Sequence, residues 1–378
     1  MADRNSRVDI IKGIGIILVV IGHCNLPGRN FIYLFHMPLF FMASGYFYSF
    51  KNAESISAGK HFLWQKIKRL WFPCFIIQSI SLILNNYFIE VGVYITPENA
   101  KLLSSSANMS ISEIYTLKDI TVNIVKTFFF LSGTYLTGPF WFVKDLFLIL
   151  ILINTISLIL VKLNYRYKLE IQMFISIIFL VVGYYFKINN GNQITSTFFT
   201  LLSTYGLVVS GFLLKNYGFQ LCIERLNPKK RGVLILLSLI SLVLLSKYGS
   251  IELSANQYIN PIFLLISSLA GWMLTYLISD IIFSKFKTVN ILLCYVGKNS
   301  MQIFLFHLIS FKLVTYLQVL TNHDSRVMLA SYPVYKISQC WWIVYIFFGV
   351  AIPLIIDNIY HQIIKRIVIY KKLGEINA

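Results

Sequence analysis

Charged residues are scarce in this sequence, and acidic residues are the scarcest of them. Only 13% of its 378 residues are charged, and just 15 are Asp or Glu. A soluble domain carries about 25% charged residues, so the deficit excludes an ordinary soluble protein. Hydrophobic residues make up 57% of the chain, and the mean hydropathy is +0.70. These values predict an all-α, polytopic membrane protein.

Cysteines are also few: the five cysteines are scattered and form neither a CxxC motif nor a disulfide framework. We interpret most of them as small apolar core residues, with a nucleophilic role left open for Cys24. Zinc-finger spacings and aromatic–basic platforms are missing too. We therefore expect no metal site and no nucleic-acid partner. The net charge of +18 comes from basic loops, which we expect to face anionic lipid.

Long apolar runs, by contrast, are abundant, and ten of them are long enough to cross ~30 Å of hydrocarbon as helices. They lie at about residues 8–25, 30–50, 67–92, 139–162, 168–187, 194–216, 231–248, 259–284, 298–320 and 340–368. Most of the 33 basic residues fall in segments that are cytoplasmic if the N-terminus is, so the positive-inside rule places both termini in the cytoplasm. We expect one membrane domain over residues 1–378. Its extracytoplasmic loop at about 93–138 should contain an interfacial or re-entrant helix ending at Gly133.

The first two runs carry four ionisable residues where apolar ones are expected: Asp9, Lys12, His23 and His36. Ionisable groups inside membrane helices are costly, which favours a functional role. Lys12 and His23 lie about three helical turns apart and so share one face. Imidazole is the side chain best suited to act as a base near neutral pH. A structural Asp9–Lys12 ion pair and an interfacial His23 that merely meets water are the alternatives.

His36 precedes Pro38 in the second run, and the loop between the two runs is short. The two spans should therefore be antiparallel neighbours that hold His23 and His36 at similar depth. Pro38 frees the carbonyl of Leu34, which predicts a local kink lining a cavity. The alternative is that His36 simply bonds to neighbouring backbone.

Three further groups are candidates. Lys66, Lys68 and Arg69 lie at the start of the third run and either anchor its topology or bind phosphates. Trp141 and Asp145 lie in PFWFVKDLF, at the outer start of the fourth run, next to Lys144. His307 lies roughly 12 Å into the ninth run, counted from its cytoplasmic end, which suggests a function nearer the inner half of the membrane.

These motifs together resemble the membrane-bound acyltransferase-3 family. RVDIIKGIGIILVVIGH resembles its opening helix, in which ten residues separate an Arg or Lys from a His, as they separate Lys12 from His23. FHMPLFFMASGYFY resembles the second-helix signature of the subgroup with fucose 4-O-acetylase-like and enterobacterial common antigen acetyltransferases. Lys66 and Arg69 match its Arg-x-x-Arg pattern with Lys in the first position. PFWFVKDLF and YVGKNSMQIFLFH resemble two later segments.

The resemblance implies a bacterial inner-membrane enzyme that moves an acetyl group from cytoplasmic acetyl-CoA to a hydroxyl of a cell-surface or lipid-linked saccharide. The catalytic residues would be His23, as general base, with His36, Lys12 and Asp9. The donor would contact Lys66, Arg69 and His307, and the acceptor would contact Trp141 and Asp145. Some members carry an acidic residue where this chain has Lys144, so Asp145 is the nearest carboxylate.

A different class of protein also fits part of the pattern. A proton-coupled saccharide exporter could use His23, His36 and His307 as a proton relay. The absence of matching Gly/Pro-broken helices in the two halves of the sequence weighs against this alternative, because many secondary transporters carry such repeats.

Overall fold

The protein is almost entirely helical in the computed structural model, which describes residues 6–102, 108–186 and 193–376. Its helices are α1 (Ser6–Gly22), α2 (Arg29–Tyr33), α3 (His36–Tyr46), α4 (Ile56–Lys66), α5 (Phe72–Ile83), α6 (Asn85–Glu90), α7 (Pro97–Leu102), α8 (Leu117–Phe128), α9 (Trp141–Lys162), α10 (Lys168–Phe186), α11 (Gln193–Asn216), α12 (Phe219–Glu224), α13 (Pro228–Tyr248), α14 (Pro261–Lys285), α15 (Lys287–Lys298), α16 (Ser300–Thr321) and α17 (Trp341–Ile376). Within those ranges the only β-structure consists of isolated bridges. The all-α prediction is confirmed.

Seven helices in the described part of the chain are long and apolar enough to cross a membrane. They are the helices of the last seven predicted runs: α9, α10, α11, α13, α14, α16 and α17. This agrees with a multi-pass membrane protein. The total of ten spans and the cytoplasmic location of the termini remain predictions.

The first three predicted runs form shorter or interrupted helices. Helix α1 has 17 residues. The second run is broken into α2 and α3 at Leu34 and Phe35, where Phe35 has φ −145°. Pro38 lies in the first turn of α3, so its missing N–H falls where a helix needs none. The predicted kink therefore takes the form of a break between two helices ahead of Pro38, and its lining of a cavity stays a prediction. The third run begins in a π-helical turn, Ile67–Trp71, between α4 and α5.

Helix α1 lies at the centre of the bundle and packs against α3, α14, α15, α16 and α17. Its crossing with α15 depends on two glycines. A methyl group on Gly13 would collide with the backbone of Leu293, and one on Gly297 would collide with the backbone of Asp9. The two helices therefore touch backbone to backbone, as small residues permit in membranes.

An ion cluster marks the end of the bundle at which α1 begins. Asp280 of α14 accepts from Arg7 and from Arg231, at 2.6 Å in both cases, and Arg7 also lies 3.5 Å from Glu224. We call this end of the bundle the Arg7 side and the opposite end, where α1 finishes, the His23 side.

The loop predicted at 93–138 lies on the His23 side. Its helix α8 starts with a capping box between Thr116 and Asp119, and the Thr116 hydrogen bonds lower the pKa of the Asp119 carboxyl. The helix ends at Phe128, not at Gly133 as predicted, because the backbone reverses at Phe130, which has φ 58°.

Candidate functional site

His23 is the first residue after α1, and its amide still donates to the carbonyl of Val19, at 3.2 Å. The chain turns there towards α2, which aims the imidazole sideways at α16. The ring of His23 packs against the ring of His307, with centroids 5.2 Å apart and planes inclined by 35°. Two ionisable side chains that the sequence separates by most of its length are thus in contact.

The hydrogen bonds of His307 define its tautomer. The side chain is fully buried, and Nδ1 lies 3.0 Å and 2.9 Å from the carbonyl oxygens of Ile303 and Phe304. Carbonyl oxygens only accept, so Nδ1 carries the proton and, in the neutral ring, Nε2 carries a lone pair. Among the described residues Nε2 has no hydrogen-bond partner. A buried basic nitrogen therefore lies beside His23.

His36, the first residue of α3, repeats this arrangement. Its Nδ1 donates to the carbonyl of Ile32, at 2.9 Å, so the neutral ring again presents a lone pair on Nε2. That nitrogen faces Gly22, 4.0 Å from where a Cβ of Gly22 would lie. The Tyr33 ring packs on His36 with a centroid distance of 4.7 Å. The break between α2 and α3 brings this imidazole to the end of α1, level with His23, as predicted.

A cavity of about 290 Å³ opens beside His23. Its walls combine aromatic faces with hydrogen-bonding side chains, including Arg29, Tyr33, Trp141, Glu252 and Tyr332. Arg29 stacks on Tyr33 at 4.3 Å and lies 3.4 Å from Glu252. The volume is at the lower end of small-molecule sites, roughly 300–1,000 Å³. The arrangement can bind a compact polar molecule against a base.

Lys312 of α16 holds the loop that supplies Tyr332. The buried ammonium group donates to the carbonyls of Leu329 and Ser331, at 2.9 and 2.7 Å, and lies 3.4 Å from the hydroxyl of Ser110. The Tyr332 amide in turn donates to the carbonyl of Asn108, at 2.8 Å. One buried cation thus ties two loops of the His23 side to a membrane helix.

Of the predicted acceptor residues, Trp141 lines the His23 cavity. Asp145 lies one turn further along α9, is 2% exposed and is outside the set of residues that line that cavity. Its Oδ1 is buried without a hydrogen-bond partner among the described residues. The structure therefore brings Trp141, but not Asp145, to His23.

The predicted ion pair exists at the other end of α1. Lys12 lies 3.2 Å from Asp9, which is 1% exposed, and stacks over Phe47 at 5.7 Å. Because Gly297 of α15 meets the Asp9 backbone, the pair lies at the α1–α15 crossing. This favours a structural contribution, and its catalytic role stays a prediction.

Lys66 and Arg69 lie at the π-helical turn towards the Arg7 side. Lys66 stacks over Phe62 at 4.7 Å, while the Arg69 side chain is exposed. A π-turn rotates the following residues relative to an α-helix and is frequent at functional sites. Neither residue lines the His23 cavity, so any donor role is exerted at a distance from it.

The prediction for His307 was wrong about depth, since its ring contacts His23 rather than lying nearer the inner half. Sequence reasoning also missed Arg29, Tyr33, Glu252 and Tyr332. Arg29 and Tyr33 follow His23 closely in the chain, and that proximity could have indicated them. Nothing in the sequence pairs Glu252 or Tyr332 with His23.

The family model described as an acyltransferase domain, that of the acyltransferase-3 family, matches residues 5–358. No curated protein and no solved structure matches the chain.

Proposed function

The chain belongs to the acyltransferase-3 family and is a membrane acyltransferase, and on this premise we propose that it is an O-acetyltransferase. It transfers the acetyl group of acetyl-CoA to a hydroxyl of a cell-surface or lipid-linked saccharide, in a bacterial cell membrane. We also propose that the protein belongs to the fucose 4-O-acetylase-like subgroup of the family.

One observation carries the proposal: His23 lies between a second imidazole and an aromatic, hydrogen-bonding cavity. Sugars present apolar C–H faces together with hydroxyl groups. The rings of Tyr33 and Trp141 can pack on the sugar faces, and the side chains of Arg29 and Glu252 can hydrogen-bond to the sugar hydroxyls. An acceptor hydroxyl bound there comes next to His23, the geometry that general-base catalysis requires.

The reaction then follows from the positions of the groups. His23 removes the proton of the acceptor hydroxyl as its oxygen attacks the carbonyl carbon of the thioester. The new C–O bond forms and the C–S bond breaks. The CoA thiolate leaves and takes the proton back from His23, so that an acetyl ester and CoA are the products and His23 returns to its neutral form.

His307 supports this step through its position. When His23 carries the proton, a positive charge develops in a site with little water, and the His307 ring packed against it carries a buried Nε2 lone pair. Such preorganised groups stabilise developing charge strongly where water is excluded. His36, whose Nε2 faces Gly22, contributes a second lone pair near the end of α1. The earlier expectation that His307 positions the donor becomes, on this geometry, a role in stabilising protonated His23.

Acetyl-CoA reaches the site from the Arg7 side. The exposed guanidinium of Arg69 and the ammonium of Lys66 provide the charge-assisted contacts that phosphate groups favour. The acyl arm then extends along α1 towards His23, with the Asp9–Lys12 pair near its entrance. The predicted role of Asp145 on the acceptor side is kept in this proposal. It would be indirect, through Trp141, which lies one turn away on α9 and lines the cavity.

The test is release of CoA by the purified, full-length protein. Acetyl-CoA is mixed with de-O-acetylated surface glycan from the cell that carries the gene, and free thiol and glycan-bound acetyl are measured together. Equal amounts of both support the transferase. The rival exporter would release no CoA, and a thiol signal without acetylated glycan would indicate hydrolysis instead.

A further inference from the structure

A second cavity, larger than the first, lies on the His23 side. Its volume is about 380 Å³, and four tyrosines form much of its wall: Tyr94, Tyr115, Tyr135 and Tyr332. None of the residues in its wall is Asp, Glu, Lys, Arg or His, in the part of the chain that the structure describes. The cavity beside His23, by contrast, contains Arg29 and Glu252.

The two cavities share walls. Gly138 and Tyr332 line both of them, and Tyr332 packs edge-on against Tyr135 with ring centroids 5.3 Å apart. A smaller space of about 150 Å³, lined by Gly138 and Trp141 among others, adjoins both. A chain-like ligand with one unit at His23 could therefore place its next unit between the tyrosines.

The wall of the second cavity is held in place by specific hydrogen bonds. The Ser112 hydroxyl donates to Asn85, at 2.7 Å, and the Tyr115 amide donates to Asn86, at 2.8 Å. Lys312 fixes the segment before Tyr332. Burial raises the pKa of Tyr332 to about 12, so its phenol stays protonated and can donate to a ligand hydroxyl. Rigid, uncharged aromatic walls of this kind bind neutral, polar rings at low entropic cost.

We infer that the tyrosine-lined cavity binds the neighbouring sugar unit of the acceptor, and that the acceptor is a neutral oligosaccharide segment rather than a single sugar. The inference rests on the proposed function, because it assumes that the acetylated unit lies beside His23.

The experiment compares acceptors of increasing length. De-O-acetylated surface glycan from the cell that carries the gene is cleaved and fractionated into mono-, di- and trisaccharides, and kcat/KM is measured for each with the full-length protein. We expect kcat/KM to rise at least tenfold from one unit to two or three. The variant Tyr135→Ala, which changes a 38% exposed side chain, should lose that gain.

Tyr87→Ala is the matched control, because Tyr87 is 57% exposed, lies in α6 on the same side and is absent from the walls of both cavities. Equal kcat/KM for all lengths, or a length gain that survives Tyr135→Ala, would overturn the second subsite while leaving the acetyltransferase intact. Failure to acetylate any fragment would overturn the proposed function and this inference with it.

Discussion

Gly138 faces the hydroxyl of Tyr332 so closely that a Cβ on Gly138 would lie 2.8 Å from Oη, while the next ring atom, Cζ, is 3.9 Å away. The contact lies where the two cavities meet. The phenolic oxygen of Tyr332 is therefore the one atom that a Cβ at position 138 would approach too closely.

The first prediction uses this relationship. Gly138→Ala should displace the Tyr332 ring, lower stability by roughly 1–3 kcal/mol as overpacking does, and reduce acetyl transfer. Adding Tyr332→Phe removes the clashing oxygen and leaves an ordinary 3.9 Å contact, so the double variant should recover most of the stability. Thermal unfolding of the purified variants checks both steps. A double variant as unstable as Gly138→Ala would show that the clash lies elsewhere.

The second prediction concerns the base. His23→Asn removes the basic nitrogen while keeping a polar side chain, and should lower transfer by about 10²–10⁴-fold, the usual contribution of general-base catalysis. His323→Asn is the control, because His323 is exposed and has φ 54°, a conformation that Asn tolerates well. Glycan acetylation is measured at matched membrane levels. Normal transfer by His23→Asn would remove His23 from the mechanism.

The overall fold was largely predictable from the sequence, because long apolar runs admit few structures other than membrane helices. Helix α15 was not predicted. It has only 12 residues, and its place depends on the match between Gly297 and Gly13 of α1. Such a match joins residues far apart in the chain, and a single sequence does not display it.

The error in the depth of His307 follows from α15. The predicted depth of His307 assumed that α16 starts at the membrane surface. In the structure, α15 first runs along α1 as far as Gly297, which contacts α1 beside Gly13. His23 follows Gly13 by ten residues, and His307 follows Gly297 by ten residues. At 1.5 Å per residue each histidine lies about 15 Å from its glycine, so the two rings reach the same level of the bundle. Both histidines were thus identified as candidates from the sequence. Their contact was not predicted, because the crossing of α1 with α15 was not predicted.

The third prediction separates the two roles considered for His307. His307→Phe keeps an aromatic ring among Phe304, Phe311 and His23 but removes the Nε2 lone pair. If His307 stabilises protonated His23, kcat should fall at nearly unchanged KM for acetyl-CoA, because the interaction is made only in the transition state. If it positions the donor, KM for acetyl-CoA should rise instead. Steady-state kinetics at several acetyl-CoA concentrations distinguish the two.

The fourth prediction concerns the donor. The double variant Lys66→Ala/Arg69→Ala should raise KM for acetyl-CoA with little change in kcat, because phosphate contacts are equal in the ground and transition states. Lys118→Ala/Lys126→Ala is the control, because both lysines are exposed on α8 at the His23 side. An unchanged KM in the first variant would leave Lys66 and Arg69 as topological anchors.

The last prediction concerns Lys312, a lysine inside a membrane helix for which the sequence offered no partner. Its ammonium group satisfies the carbonyls of Leu329 and Ser331, and a buried acceptor left without a donor costs about 1–3 kcal/mol. Lys312→Met fills a similar volume without the donor. The loop should therefore open more often, hydrogen exchange of the Tyr332 amide should accelerate, and KM for the glycan should rise because Tyr332 loses its fixed position.

Lys336→Met is the control for Lys312→Met, since Lys336 pairs with Asp324 at 2.9 Å on the surface with 44% of its side chain exposed. Exposed pairs of this kind contribute about 0–1 kcal/mol, so exchange at Tyr332 should remain near the wild-type rate. Equal acceleration in both variants would mean that the loop responds to any loss of positive charge. Acceleration in Lys312→Met alone would show that the buried ammonium group holds the loop in place by its hydrogen bonds, because only that lysine donates to the loop carbonyls.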